Sequence, residues 1–155
     1  MGAQAGTNAG AKFYVCETTQ PADLDATAYA ALTWVLVGGT AAIPEAGRTE
    51  EIVSFDRTDG AAIKGKGSLD YGGGDLEVAY LPADLGQIAL VTMAATKLPY
   101  AFKVVLDDAA GALSATTEFT RGIVGGPSRP SKTGKEFATR VFSLGYEHFL
   151  PVVPA

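Results

Sequence analysis

Along several short stretches of this 155-residue chain, apolar and polar residues alternate with a period of two, the pattern of half-buried β-strands. Over residues 12–17, Phe13 and Val15 take one face and Tyr14 and Cys16 the other, which predicts a first strand. Residues 33–37 predict another, with Trp34 and Leu36 opposite Val35 and Val37. Both of its faces are apolar, so cover is expected on both sides, and Gly38-Gly39 ends it. A strand over 51–55 is expected to turn Val53 and Phe55 inward, with Ile52 and Ser54 on the opposite face, before the turn signal Arg57-Thr58-Asp59-Gly60. Residues 75–81 set Leu76, Val78 and Tyr80 against Asp75, Glu77 and Ala79, giving one buried face and one acidic, wet face.

The period changes once. Pro82 suits a first helical turn, Asp84 and Lys97 complement the two ends of the helix dipole, and Leu85, Ile88, Ala89, Thr92 and Ala95 form an apolar stripe. A helix is therefore expected over residues 82–97. After Pro99, Tyr100, Phe102, Val104 and Leu106 alternate with polar neighbours, and Asp108-Ala109-Ala110-Gly111 predicts a hairpin into a strand over 115–124, where Phe119 and Ile123 share a face. A long final strand region over 136–149 changes apolar parity between Val141 and Phe142, which predicts a bulge or bend there.

The remaining segments lack this patterning. Residues 20–31 open with Gln-Pro-Ala-Asp and fit either a loop or a short helical turn. Residues 56–74 are Gly-rich and charged, ending in KGKGSLDYGGGD, and are expected to form a long loop, an uncommon feature in a compact domain. GGPSRPSKTG predicts a second loop. Residues 1–11 lack large side chains and are expected to be a flexible arm, and the proline-interrupted residues 150–155 a short C-terminal arm. No unit repeats with a period of 20 to 50 residues. The expected fold is mainly β: one domain over 12–149, a sandwich or barrel of antiparallel strands with one flanking α-helix.

Composition narrows function by exclusion. A hydrophobic share of 47% with 19% charged residues is ordinary for a globular domain. A net charge of −5 argues against gripping a phosphate backbone, and the two small basic clusters, Lys64 with Lys66 and Arg129 with Lys132 and Lys135, are expected to be solvated loop tips. Cys16 is the sole cysteine, so no internal disulfide forms and no oxidising compartment is needed. The start MGAQAGTNAGAK reads as neither a secretory signal nor a myristoylation site, and AYAALTWVLV is too short to span about 30 Å of bilayer; a soluble protein folded inside the cell is expected.

Candidate chemistry is sparse. The single histidine, His148, neighbours Glu147, but adjacent strand residues face opposite ways, so it is expected to be structural. One His and one Cys cannot close a metal site, and no carboxylate spacing matches a calcium loop. GKGSLDYGGGD and SKTGKE lack the spacing of phosphate-binding loops. Catalytic, cofactor and metal residues are therefore all expected to be absent.

The arrangement resembles the major tail tube proteins of phages with long, non-contractile tails (siphophages). The resemblance spans roughly residues 30 to 149 and is carried by TWVLVGG, IPEAGRTEEIVSFDRTDG, the strand-to-helix passage GGGDLEVAYLPADLGQIALVTMA and the aromatic strand YAFKVVL. It implies a flanked β-sandwich or barrel, six copies to a ring, and rings stacked into a hollow tube that passes double-stranded genomic DNA without specific binding. It also implies assembly in the host bacterial cytoplasm and incorporation into the virion tail. Tip or baseplate, terminator and tape-measure proteins would be partners, and this subunit would not enter a membrane. Segments 1–11, 56–74 and 150–155 would reach neighbouring copies. Arg57, Asp59, Lys64, Lys66, Asp70 and Tyr71 are the inter-subunit or inter-ring candidates, and Asp75 and Glu77 are expected to face either the lumen or solvent. Two other classes stay open. One is a tail terminator, connector or secretion-system tube protein. The other is a monomeric adhesion or carbohydrate-binding module, hinted at by Tyr71 beside Gly72-Gly73-Gly74.

Overall fold

The computed structural model describes residues 10–107 and 115–152. The turn expected at 108–111, nearly all of the N-terminal arm, and residues 153–155 lie outside that range. The described chain runs β1 (Lys12–Thr19), α1 (Ala26–Ala30), β2 (Val35–Val37), β3 (Thr40–Ala42), β4 (Glu45–Phe55), β5 (Ile63–Ala79), α2 (Leu85–Ala94), β6 (Tyr100–Val105), β7 (Thr117–Ser128) and β8 (Thr139–Val152). The strands pair antiparallel in the order β2-β1-β6-β7-β8-β5-β3, with β4 paired to β5 off this path. The two outer strands of the order, β2 and β3, follow each other through Gly38-Gly39, so the sheet curls into a nearly closed barrel with two helices, the mainly β fold the alternation predicts.

The barrel interior holds Phe13, Val15, Leu76, Val78, Phe102 and Phe142, and α2 packs Ala89, Leu90 and Met93 onto the same cluster. Gly86 permits this approach, because a Cβ there would stand 2.3 Å from the carbonyl oxygen of Leu36. A second, smaller cluster of Cys16, Tyr29, Ala101 and Phe119 forms on the outer face of the sheet. The 20–34 segment covers it, and its short helix α1 is capped by Asp25, which accepts from the Ala28 N–H at 2.8 Å. Residues 20–31 thus include a helical turn. The two apolar faces of the 33–37 stretch are explained as well: Val35 and Val37 join the inner cluster and Trp34 the outer one.

Four expectations need correction. Most of 56–74 is strand: β4 and β5 form a long hairpin whose turn lies between Phe55 and Ile63, because cross-strand pairing overrides the turn-like Gly/Lys composition. Val53 and Phe55 are exposed rather than inward, since their stretch of β4 pairs with β5 beyond the barrel. The helix begins after its cap Asp84, and its buried stripe is Gly86, Gln87, Ala89, Leu90 and Met93, leaving Leu85, Ile88, Thr92 and Ala95 outside. LGQIALVTMA is apolar nearly all round, so periodicity alone has no contrast with which to choose a face. Finally, Leu150, Pro151 and Val152 pair with β7 instead of forming an arm. Pro151 is tolerated because the pairing of β8 with β5 ends at Gly145, leaving an edge where a missing donor costs little.

The irregularity expected between Val141 and Phe142 is found there, and a further one lies nearer the C-terminus. Glu147 is skipped between the pairs Gly122–Tyr146 and Arg121–His148, so Phe142, Leu144 and Tyr146 point inward while Leu150 and Val152 reach the outer cluster. The expected irregularity, between Gly125–Ser143 and Ser128–Val141, places its extra residues on β7.

Candidate assembly surfaces

β5 belongs to two structures in turn. Gly73–Ala79 pairs with β8 inside the barrel wall, whereas Ile63–Gly73 pairs with β4 in a two-stranded ribbon. The crossing point is Gly73, with φ +138°, where a Cβ would lie 2.4 Å from the carbonyl oxygen of Leu144, so no other residue fits without backbone movement. From Thr49–Asp70 to Phe55–Ile63 the ribbon extends about 20 Å, at roughly 3.3 Å per residue.

Its two faces differ. Val53 lies opposite Gly65 and Phe55 opposite Ile63, so Val53, Phe55 and Ile63 share one face near the tip. Phe55 is 69% exposed. The other face carries Ile52, Ser54, Lys64 and Lys66, with Lys64 donating to Ser54 at 3.1 Å. Towards the base, Glu50 accepts from Arg48 at 2.6 Å and pairs with Lys66 at 3.3 Å, and those hydrogen bonds hold its carboxyl below the usual range. Arg57 and Asp59 occupy the tip, where Arg57 donates to the Ala61 carbonyl at 2.9 Å and lies 3.9 Å from Asp59. Asp70 accepts from the Gly72 N–H at 3.0 Å, and Tyr71 packs half-buried at the ribbon base with its ring edge-on to His148. Four of the six predicted contact residues therefore stand on the ribbon and two at its root. Asp75 and Glu77 point away from the interior, on the outer face of β5 opposite Leu76 and Val78.

A second exposed apolar surface lies on α2: Leu85, Ile88 and Val91 are 72%, 49% and 48% exposed. Sequence reasoning set Leu85 and Ile88 on the apolar stripe of this helix, and the structure leaves both outside its buried side. The useful signal was the lack of any polar face on this helix, which points to cover on more than one side.

A polar cluster not anticipated in the sequence joins distant segments. Arg121, buried on β7, donates to Asp23 at 2.7 Å and to Glu147 at 2.9 Å, while Tyr29 and His148 share a 2.8 Å hydrogen bond. Burial opposes the Arg121 charge, but the carboxylates of Asp23 and Glu147 outweigh it and raise its pKa. The skipped residue in β8 lets Glu147 and His148 join one cluster despite being adjacent in sequence. The cluster ties the 20–34 segment to the barrel. Among the described residues no group of His, Cys, Asp and Glu is arranged to hold a metal ion. No described helix is long and apolar enough to cross a membrane.

No protein-family profile and no curated protein matches the chain. Solved structures do contain similar folds. A chain of the anti-feeding prophage (AFP) baseplate, 6-fold symmetrised, superposes with a TM-score of 0.66 at 10% identity, covering 99% of this chain and 98% of that one. A chain of the PVC extracellular contractile injection system sheath/tube terminator in its extended state gives 0.64 at 10% identity, with 98% and 100% covered. One from the PVC sheath-tube complex gives 0.60 at 9% identity, with 92% and 88% covered. These likenesses show a tail-tube-like fold; two of the three chains come from an extracellular contractile injection system, whereas the sequence resemblance was to long non-contractile tails.

Proposed function

We propose that this chain is a structural, non-enzymatic subunit of a phage-tail-like tube, in which copies close into rings of six and the rings stack around a hollow lumen. The ribbon carries this reading. A two-stranded hairpin is at best marginally stable in water, and this one exposes Ile52, Val53, Phe55, Ile63 and Leu69 on a length that the barrel does not cover. Burying Phe55 alone would contribute about 1.5–3 kcal/mol. A neighbouring copy that covers the ribbon stabilises both partners. Near full-length likeness to chains of tube-containing particles supports the same reading.

The finer form is the major tail tube subunit of a long non-contractile tail, assembled in the host cytoplasm with tip, terminator and tape-measure proteins and passing DNA through its lumen. With a negative chain and Asp75 and Glu77 on the outer barrel face, a lumen lined by that face would repel phosphates and let the duplex slide. A second reading, a ring that ends a tube, draws on the likeness to a chain of the sheath/tube terminator. Negative-stain microscopy of the purified protein separates them. Hollow filaments of stacked six-fold rings support the tube subunit, isolated rings support the terminator, and a protein that stays monomeric with added tail-tip complexes overturns both.

A further inference from the structure

The groove beside α2 and the tip of the ribbon stand at opposite ends of one strand. The groove, about 300 Å³, is lined by Tyr80, Leu81, Ile88, Val91, Pro127 and Phe142, and it opens where the chain leaves β5. The ribbon tip begins at Ile63, the first residue of the same strand. At roughly 3.3 Å per residue the 17 residues of β5 put at most about 55 Å of strand between the two. Pairing with β4 over Ile63–Gly73 and with β8 over Gly73–Ala79 holds the two ends of that strand apart, so the tip and groove of one chain do not fold onto each other.

Their chemistry matches. The groove is apolar with one cation at its edge, Arg140, whose guanidinium stacks 4.0 Å above the Tyr80 ring and donates to its neighbour Thr139. No carboxylate pairs with Arg140 among the described residues. On the ribbon, Glu51 lies on the same face of β4 as Val53 and Phe55, and it too has no ion-pair partner among the described residues. One surface is therefore apolar with an unpaired anion and the other apolar with an unpaired cation.

We infer that the Phe55 end of one copy's ribbon seats in the Tyr80–Ile88–Val91 groove of the next copy, with Glu51 meeting Arg140. The contact is heterologous, head to tail along β5, so each copy offers a free tip and a free groove and the contact repeats without closing. It rests on the tube reading above and names the surface that joins one layer to the next. The basic face of the ribbon, with Lys64 and Lys66, stays outside it.

Two variants and their mixture test the contact. Phe55→Asp removes the tip and Val91→Asp the groove, each at an exposed position; Ile63→Ser and Ile88→Ser replace either variant that circular dichroism shows unfolded. Each variant alone is expected to lose stacking, whereas an equimolar mixture regains one layer-to-layer contact and gives assemblies two layers deep by sedimentation and microscopy. Glu51→Arg and Arg140→Glu are each expected to raise the concentration needed for stacking about tenfold, and the double exchange to restore it. Folded single variants that stack like the parent, or a mixture that stays unpaired, overturn the contact and leave the tube reading intact. Pairing without charge rescue overturns the Glu51–Arg140 match. A parent protein that never stacks removes the tube reading itself.

Discussion

Gln87 gives the sharpest test of how this fold is held. The side chain is 6% exposed and bonded at both ends: Nε2 donates to the carbonyls of Gly38 and Ala79, each at 2.8 Å, and Oε1 accepts from the Leu81 N–H at 3.1 Å. One residue thereby joins α2, the end of β5 and the turn between β2 and β3. Gln87→Met keeps the volume and leaves three backbone groups without partners, at about 1–2 kcal/mol each, so a loss of roughly 3–6 kcal/mol is expected. Gln87→Glu is more discriminating. It keeps the acceptor for Leu81 but sets carboxylate oxygen against two carbonyls, costing roughly 2–5 kcal/mol at neutral pH. Those carbonyls and burial disfavour its charged form, so its folded pKa lies above the unfolded value of about 4.3. The deficit is smallest below that unfolded pKa, grows as pH rises through the folded pKa and is constant above it. A protonated Glu donates to one of the two carbonyls, so about half the loss should return at pH 4. Urea unfolding of variant and parent at pH 7.5 and pH 4, followed by the fluorescence of Trp34, measures the difference. A Gln87→Glu deficit under about 1 kcal/mol at pH 7.5, or one that does not shrink on acidification, refutes this role.

Three further outcomes are expected. Gly73→Ala forces a Cβ to 2.4 Å from the Leu144 carbonyl oxygen at φ +138°, so a loss of about 2–4 kcal/mol should appear as a lower thermal midpoint; an unchanged midpoint would show that the crossing of β5 is looser than described. Arg121→Met leaves Asp23 and Glu147 without their shared cation and should cost about 1–2 kcal/mol, since both carboxylates are half exposed. The released 20–34 segment should shift Trp34 emission to the red, because the Trp34 indole donates to the Tyr29 carbonyl at 3.0 Å. Glu50 has a folded pKa below its unfolded one, held there by hydrogen bonds from Arg48 and then Lys66. Its contribution is present above the unfolded pKa and lost as pH falls through the folded one, and Glu50→Gln should remove that slope from the pH dependence of thermal midpoints.

Alternation alone placed the core strands, because burial on one face of a sheet leaves a period-two record: Phe13 with Val15, Leu76 with Val78, and Phe102 with Val104 all point where the pattern sends them. It failed where that link breaks. Val53 and Phe55 alternate like core residues but sit in a ribbon beyond the barrel, and nothing local distinguishes a face covered by its own domain from one left open. KGKGSLDYGGGD reads as a loop because glycine lacks strand propensity, whereas the pairing of β5 with β4 and β8 is a long-range fact. The Asp23–Arg121–Glu147 cluster was illegible for the same reason. Its members are brought together by a skipped residue in β8, and only register shows which neighbours such a skip unites.

The shared strand has a mechanical consequence. A pull on the ribbon travels down β5 into the seven residues Gly73–Ala79, which are laddered to β8 along the direction of the load. Those hydrogen bonds resist together, in shear, instead of opening one at a time like a zipper. A polymer strung through such strands would stretch little before it broke, and a break would begin at the seats between copies while each barrel stayed whole.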